Sequence, residues 1–339
     1  MESRDQAEDD TSTMSPGGKL VDDPRPDGRA GADASRPGWP GAGARDPLAR
    51  PRNLVSTAKW GTRFALVTAS RPTYRARMLP GFLIAGASRC GTTSMFDALS
   101  QHPAICNPLL PWTREVHYFD NGYDRGIAWY QSHFPLRVRA VRAARAVGAQ
   151  PLAFESGPYY MFHPLAPDRI HRDLPGVKLL VLLRDPVQRA FSAYANSVSV
   201  HCETESFERA LELENSRLAG EAERIVADPA YPSFSHRHHS YRIRGQYAEQ
   251  LERLETLFGR ERIHVVDSGD FFADPGPVYN GVLDFLGLPR LSDPVVKRLN
   301  ARPRPAPMSA SVRIALEDHY RPHNERLATW LGREPSWCR

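Results

Sequence analysis

The residues best equipped for chemistry are Arg89, Cys90, Gly91, Thr92, Thr93 and Ser94, which close the run FLIAGASRCGTTS at residues 82–94. An apolar run ending in a glycine-rich turn reads as a buried strand feeding an anion-binding loop. Such a loop presents backbone N–H groups and a positive helix end to its ligand. The spacing approaches GxxxxGK[ST], in which Lys directly follows the second Gly and grips the outer phosphates of a nucleotide. Gly86 and Gly91 keep that spacing, but Thr92 stands where Lys is required, and the cation, Arg89, lies inside the loop. A nucleotide with a shorter anionic chain than ATP or GTP fits this pattern better. For Cys90, a small residue suited to a tight turn competes with a thiol made acidic by nearby cations.

A second run, KLLVLLRDPVQRAFSAY at residues 178–194, reads as a strand followed by a helix. Asp185 suits an N-cap and Pro186 the first helical turn. Arg184 then falls at a strand end, above a parallel sheet, where such folds bind ligands. Ser192 follows inside the helix.

A third stretch, Arg114-Glu115-Val116-His117-Tyr118-Phe119 followed by Gly126-Ile127-Ala128-Trp129-Tyr130, completes a set. In this order the three resemble the sulfotransferases that use 3′-phosphoadenosine 5′-phosphosulfate (PAPS), closest to the heparan-sulfate-type and bacterial carbohydrate-type branch. The resemblance covers roughly residues 80–335. It implies that the first loop takes the 5′-phosphosulfate, with donors from Thr92, Thr93 and Ser94, and that Arg184 and Ser192 take the 3′-phosphate by charge-assisted hydrogen bonds. Arg89 stands where the family usually has a Lys on the oxygen bridging sulfur and phosphorus; the charge is kept, but a planar guanidinium does not replace a point charge. Glu115 matches the family's general base, against the plainer reading of a surface ion pair with Arg114. Arg114 replaces a family Lys that helps orient the transferring group. His117 is the rival base, or a structural or acceptor-side residue. Arg302 and Arg304, within Asn300-Ala301-Arg302-Pro303-Arg304, loosely match a basic loop that closes over the nucleotide. Ser156, in Glu155-Ser156-Gly157-Pro158-Tyr159-Tyr160, replaces a Lys common in glycosaminoglycan-type members, which counts against a polysulfated acceptor. Sulfuryl transfer needs positioning, cations and a base, and requires no metal.

Composition sets the frame. The chain has 339 residues, 41% hydrophobic and 24% charged, with a net charge of +5. That is ordinary for a soluble globular protein and compatible with an anionic ligand. Only Lys19, Lys59, Lys178 and Lys297 among the basic residues are Lys. The first 55 or so residues are rich in Pro, Gly, Asp and Ser and are expected to be disordered. Residues 1–75 then form an N-terminal segment and basic lead-in, and residues 76–339 one domain. No signal peptide or membrane-spanning run is legible, so a cytoplasmic location is expected. The four cysteines lack metal-ligand spacing, and Ser235-His236-Arg237-His238-His239 reads as a polar turn before a helix. Trp129, Tyr130, Tyr159 and Tyr160 suit an acceptor pocket and a core equally.

Strands are expected at residues 82–85, 152–155, 179–183 and 263–266. Helices are expected at 92–101, 164–174, after 185, and at 206–219, 240–258, 277–286 and 312–331. The alternation predicts an α/β fold, a single domain with a central parallel sheet flanked by helices and a P-loop-like nucleotide site. The function expected is sulfuryl transfer from PAPS to a hydroxyl or amine of a carbohydrate, glycolipid or secondary-metabolite acceptor. A P-loop kinase or NTPase is the alternative; it is weakened by Thr92 and by the want of a clear acidic residue after a strand. A degenerate, non-catalytic nucleotide-binding protein is the third reading. Dispersed Arg residues argue against nucleic acid. The acceptor and the oligomeric state are not legible.

Overall fold

The computed structural model describes residues 54–110, 112–291, 294–299 and 307–339. The expected disorder before residue 54 and the candidates Arg302 and Arg304 lie outside the described residues. Five strands, β1 (Pro80–Gly86), β2 (Ile105–Cys106), β3 (Leu152–Ser156), β4 (Lys178–Leu183) and β5 (Ile263–Asp267), form one sheet in the order β2-β3-β1-β4-β5. All pairs run parallel. The four expected strands are present; β2 has too few residues to carry a pattern. β1 lies between β3 and β4, so the strand order reverses there and opens a crevice above the C-terminal strand ends.

The apolar runs explain the sheet. β4 is buried along Leu179–Leu183, and β1 is buried except at Gly81, as strands covered on both faces must be. Phe154 of β3 stacks on Phe82 at 4.8 Å and on Phe96 at 4.5 Å, which locks the helix Thr92–Leu99 onto the sheet. The helix Pro186–Ser199 starts as expected, with Asp185 accepting the Val187 N–H at 3.0 Å.

Two elements differ from expectation. The helix expected from residue 240 begins at Tyr247, preceded by a 3-10 turn at Ile243–Gly245. At Gly245 a Cβ would sit 2.7 Å from the Tyr320 hydroxyl, so tight contact with the helix Ala310–Leu331 overrides the helical pattern there. The lead-in, which has no readable period, contains a helix, Leu54–Ser70, and a 3-10 turn, Arg71–Ala76. Buried Arg77 then ties this segment down, donating to the Phe134 carbonyl at 2.8 Å and the Thr73 hydroxyl at 3.0 Å.

Candidate functional site

The loop after β1 turns through left-handed backbone at Arg89 (φ 72°) and Gly91 (φ 83°). Gly91 suits both the conformation and the space, since a Cβ there would meet the Phe272 ring at 3.0 Å. Buried side chains hold the loop from below. Arg189 donates to the Ser88 carbonyl at 3.1 Å and to the Ser240 and Tyr241 carbonyls at 3.2 and 3.0 Å. Ser268 donates its hydroxyl to the Cys90 carbonyl. Tyr247 donates to the Arg184 carbonyl at 2.9 Å and touches the Cys90 sulfur at 3.7 Å. The Cys90 side chain is fully buried, and burial pushes its thiol up despite Arg189, Arg184 and Arg89. The small-residue reading of Cys90 therefore holds over the acidic-thiol one. Thr92 and Ser94 are buried in the first turn, Thr93 is half-buried, and the Ser94 hydroxyl accepts the Leu299 N–H at 3.1 Å.

Arg89 turns toward the helix Pro186–Ser199, donating to the Ser192 hydroxyl at 3.2 Å and to the Asn196 side-chain oxygen at 3.3 Å. The loop cation and the serine expected at the 3′-phosphate are thus direct neighbours. The Arg184 guanidinium makes no hydrogen bond or ion pair among the described residues.

The Glu115 segment lies one strand over. The Ser156 N–H, at the end of β3, donates to the Arg114 carbonyl at 2.9 Å, and the next N–H, of Gly157, donates to Ile84 of β1 at 2.9 Å. The Arg114 guanidinium lies 5.9 Å from the centroid of Phe96, on the helix that starts at the loop. The Glu115 carboxylate is 42% exposed and lies 3.3 Å from His117 Nε2. His117 Nδ1 faces the Asp120 carboxylate at 3.0 Å, and Arg237 reaches the same oxygen at 3.1 Å. Asp120 has no exposed side-chain surface. Burial works to raise its carboxyl, but His117 and Arg237 outweigh burial and hold it well below the usual range. Burial likewise opposes charge on His117, yet Asp120 and Glu115 raise its pKa. Glu115 is therefore the open end of a charge-paired chain, Arg237–Asp120–His117–Glu115.

The backbone of this segment is held as firmly. Arg63, from the N-terminal helix, donates to the Val116 carbonyl at 3.1 Å, and Arg169 donates to Phe119 and Asp120 carbonyls at 2.8 and 3.2 Å. The Val116 N–H donates to buried Glu155 at 2.6 Å, whose other oxygen accepts from the Tyr130 and Tyr160 hydroxyls at 2.8 and 3.1 Å.

Of the residues that sequence reasoning named, the structure brings Arg89 against Ser192 and Glu115 against His117, while Arg114 packs its guanidinium over Phe96. Sequence reasoning missed Asp120, Arg189, Asn196 and Arg237. Asp120 follows His117 by three residues and was within reach. Arg237 sits in the histidine-rich stretch, which forms the short helix Phe234–His238 rather than a polar turn. His236 of that stretch is buried against the Tyr159 hydroxyl at 2.7 Å. Tyr130, Tyr159 and Tyr160 are core residues; Trp129 alone of the four aromatics stays partly exposed, under Arg125. An acidic residue does end β5: Asp267, whose oxygens accept from Gly269 N–H, Ser336 N–H and the Ser336 hydroxyl as a helix cap.

The model of the sulfotransferase domain family matches residues 79–311, which is more than half of the chain. The chain belongs to that family. Human heparan sulfate glucosamine 3-O-sulfotransferase 6 is 30% identical to this sulfotransferase over 285 residues, 77% of this chain and 74% of the relative. The mouse protein of that name is 29% identical over 321 residues, 88% of this chain and 84% of the relative. A solved sulfotransferase from Alicyclobacillus acidocaldarius matches with 30% identity and a TM-score of 0.53, covering 77% of this chain and all of that one. The fold is the α/β sulfotransferase domain with its P-loop-like parallel sheet, and the general reaction of the family is PAPS-dependent sulfuryl transfer.

Two predictions follow from the charge network beneath Glu115. Replacing Arg237→Met strands the buried Asp120 charge and is expected to destabilise the protein by about 3–5 kcal/mol. Adding Asp120→Asn should recover part of that loss; strictly additive losses in urea denaturation would show that the two side chains do not couple. Burial raises the Glu155 carboxyl from 4.5 to about 7, more than its hydrogen bonds lower it. The folded state then binds this proton more tightly than the unfolded chain, so the Glu155 contribution falls as pH rises above 4.5 and levels off above about 7. Between about pH 5 and about pH 8, the wild type should lose more stability than Glu155→Gln. Equal losses would detach Glu155 from the pH dependence.

Proposed function

We propose that this sulfotransferase is a cytoplasmic enzyme, needing no metal, that moves a sulfuryl group from PAPS to a hydroxyl or amine of a carbohydrate, glycolipid or secondary-metabolite acceptor. The observation that carries the reading is a half-exposed carboxylate, Glu115, bound through β3 to an anion-type loop whose cation sits against Ser192. Arg184 and Ser192 hold the 3′-phosphate, the loop N–H groups and Thr92–Ser94 hold the 5′-phosphosulfate, and Arg89 and Arg114 meet charge on the transferring group.

The acceptor oxygen or nitrogen attacks sulfur in line with the leaving oxygen. A new bond to sulfur forms, the bond from sulfur to the bridging oxygen breaks, and adenosine 3′,5′-bisphosphate leaves. Glu115 takes the acceptor proton. His117, cationic between Glu115 and Asp120, aims the base and is not itself the base. Its Nδ1 and Nε2 are both engaged with carboxylates, which leaves it no free lone pair for a proton.

Calorimetry with adenosine 3′,5′-bisphosphate, ADP and ATP tests the nucleotide. The bisphosphate should bind selectively, and Arg184→Ala should weaken it roughly 10- to 100-fold, the loss of charged hydrogen bonds. Preference for ATP, or no binding, would overturn the reading. Glu115→Gln should lower kcat by roughly 100- to 10,000-fold with bisphosphate affinity unchanged. Wild-type turnover in that variant would remove Glu115 from the mechanism.

A further inference from the structure

Two stretches of the chain that carry no acidic residue meet on one side of the molecule. Asp and Glu make up 39 of the 339 residues, yet none lies between residues 54 and 96 or between 126 and 154. Arg77 joins the two. It pairs with Leu136 in an antiparallel bridge, and its guanidinium donates to the Phe134 carbonyl at 2.8 Å. Directly after Leu136 begins the helix Arg137–Arg145, with cations at Arg137, Arg139, Arg142 and Arg145. Burial first, and then Arg139, lower the Arg77 pKa, so the two guanidiniums lie close together. All four helix cations are exposed, as are Arg71 and Arg75 just before the bridge. None of these six forms an ion pair among the described residues.

The helix buries Ala140 and Ala144 and turns its opposite face outward. On that face, at helical spacing, stand Val138, Arg142 and Arg145. Val138 is 73% exposed, more than any other large apolar side chain among the described residues. The helix itself gains little from its cations. Arg142 and Arg145 suit the last turn, but Arg137 and Arg139 stand in the first, where the dipole disfavours them. Arg139, Arg142 and Arg145 follow at intervals of three, so like charges face one another.

We propose that this face docks on an anionic membrane, with the Arg side chains among headgroup phosphates and Val138 at the acyl boundary. Charge complementarity selects an anion, and the apolar side chain among the cations selects a lipid surface over a soluble polyanion. The long Arg stems lay their methylenes beside Val138 while the guanidiniums stay in water. The helix Leu54–Ser70 runs into the same junction with Phe64 62% and Leu66 42% exposed, and its last carbonyl accepts from Arg77 at 3.3 Å. None of these residues belongs to the loop after β1, the Arg-Asp-Pro turn or the Glu115 segment.

Flotation of the full chain with vesicles tests the docking, comparing phosphatidylcholine alone with phosphatidylcholine mixed with phosphatidylserine. The mixed vesicles should bind the protein, the neutral ones should not, and added salt should release it. The triple substitution Arg139→Gln, Arg142→Gln, Arg145→Gln should weaken binding at least about tenfold. Val138→Ser should weaken it about threefold while leaving retention by soluble polyphosphate unchanged. No binding to the mixed vesicles, equal binding to both kinds, or binding that the three Arg substitutions leave intact would overturn the proposal. An unaltered vesicle partition in Val138→Ser would overturn it too, by giving the face to a soluble polyanion. Affinity for adenosine 3′,5′-bisphosphate, read on the same variants, reports on the nucleotide site alone, so the docking and the sulfuryl-transfer reading fail independently.

Discussion

A carboxylate with no exposed side-chain surface, Asp120, constrains the segment that carries Glu115 and His117. Taking an ion out of water costs several kcal/mol, and only close partners offset it. Here the partners are Arg237 at 3.1 Å and His117 at 3.0 Å, and each is committed by the pairing. Arg237 brings the helix Phe234–His238 against the turn Tyr118–Asn121, although the two lie far apart in sequence. His117 takes a left-handed backbone, φ 60°, to face Asp120 with one ring nitrogen and Glu115 with the other. His117, 3.3 Å from Glu115, fixes where that carboxylate lies.

The nucleotide side is built on the opposite plan. There buried side chains shape the loop after β1. Arg189, Tyr247 and Ser268 each occupy a carbonyl of the loop or of the Arg-Asp-Pro turn, at Ser88, Arg184 and Cys90. Those bonds fix the path of the loop, within which the Ala87 and Cys90 amides donate to the Leu182 and Ala87 carbonyls at 2.8 and 3.2 Å. The same three residues come from the helices after β4, before β5 and after β5, so the sheet order itself clamps the loop.

Legibility in the sequence followed the range of the interaction. The loop at 86–94 and the turn at 184–186 are local, and both were readable from spacing and capping residues alone. β1 and β4 were readable because continuous apolar runs signal strands buried on both faces, and β3 and β5 from shorter, mostly apolar stretches. The pairing of Asp120 with Arg237 was not, because nothing in the histidine-rich stretch marks which of its residues turns inward. Glu155 was quoted only as a neighbour of Ser156; that its carboxylate anchors the Val116 N–H depends on β3 lying beside the 114–117 segment. The start of the helix at Tyr247 depended on Tyr320, a contact across 75 residues of chain that no local period reports. The N-terminal helix lacks a regular apolar stripe because most of its described surface stays exposed, with Val67 and Ser70 its buried contacts.

Arg89 stands where the resemblance puts a Lys, and the geometry shows what an Arg does there. A Lys there would present one compact charge on a flexible stem. The guanidinium instead offers five donors in a fixed plane. Two of its nitrogens already reach Ser192 and Asn196, which fixes the plane of the group from one side. The loop is thereby tied through Arg89 to the helix Pro186–Ser199, the element that Asp185 caps directly after Arg184.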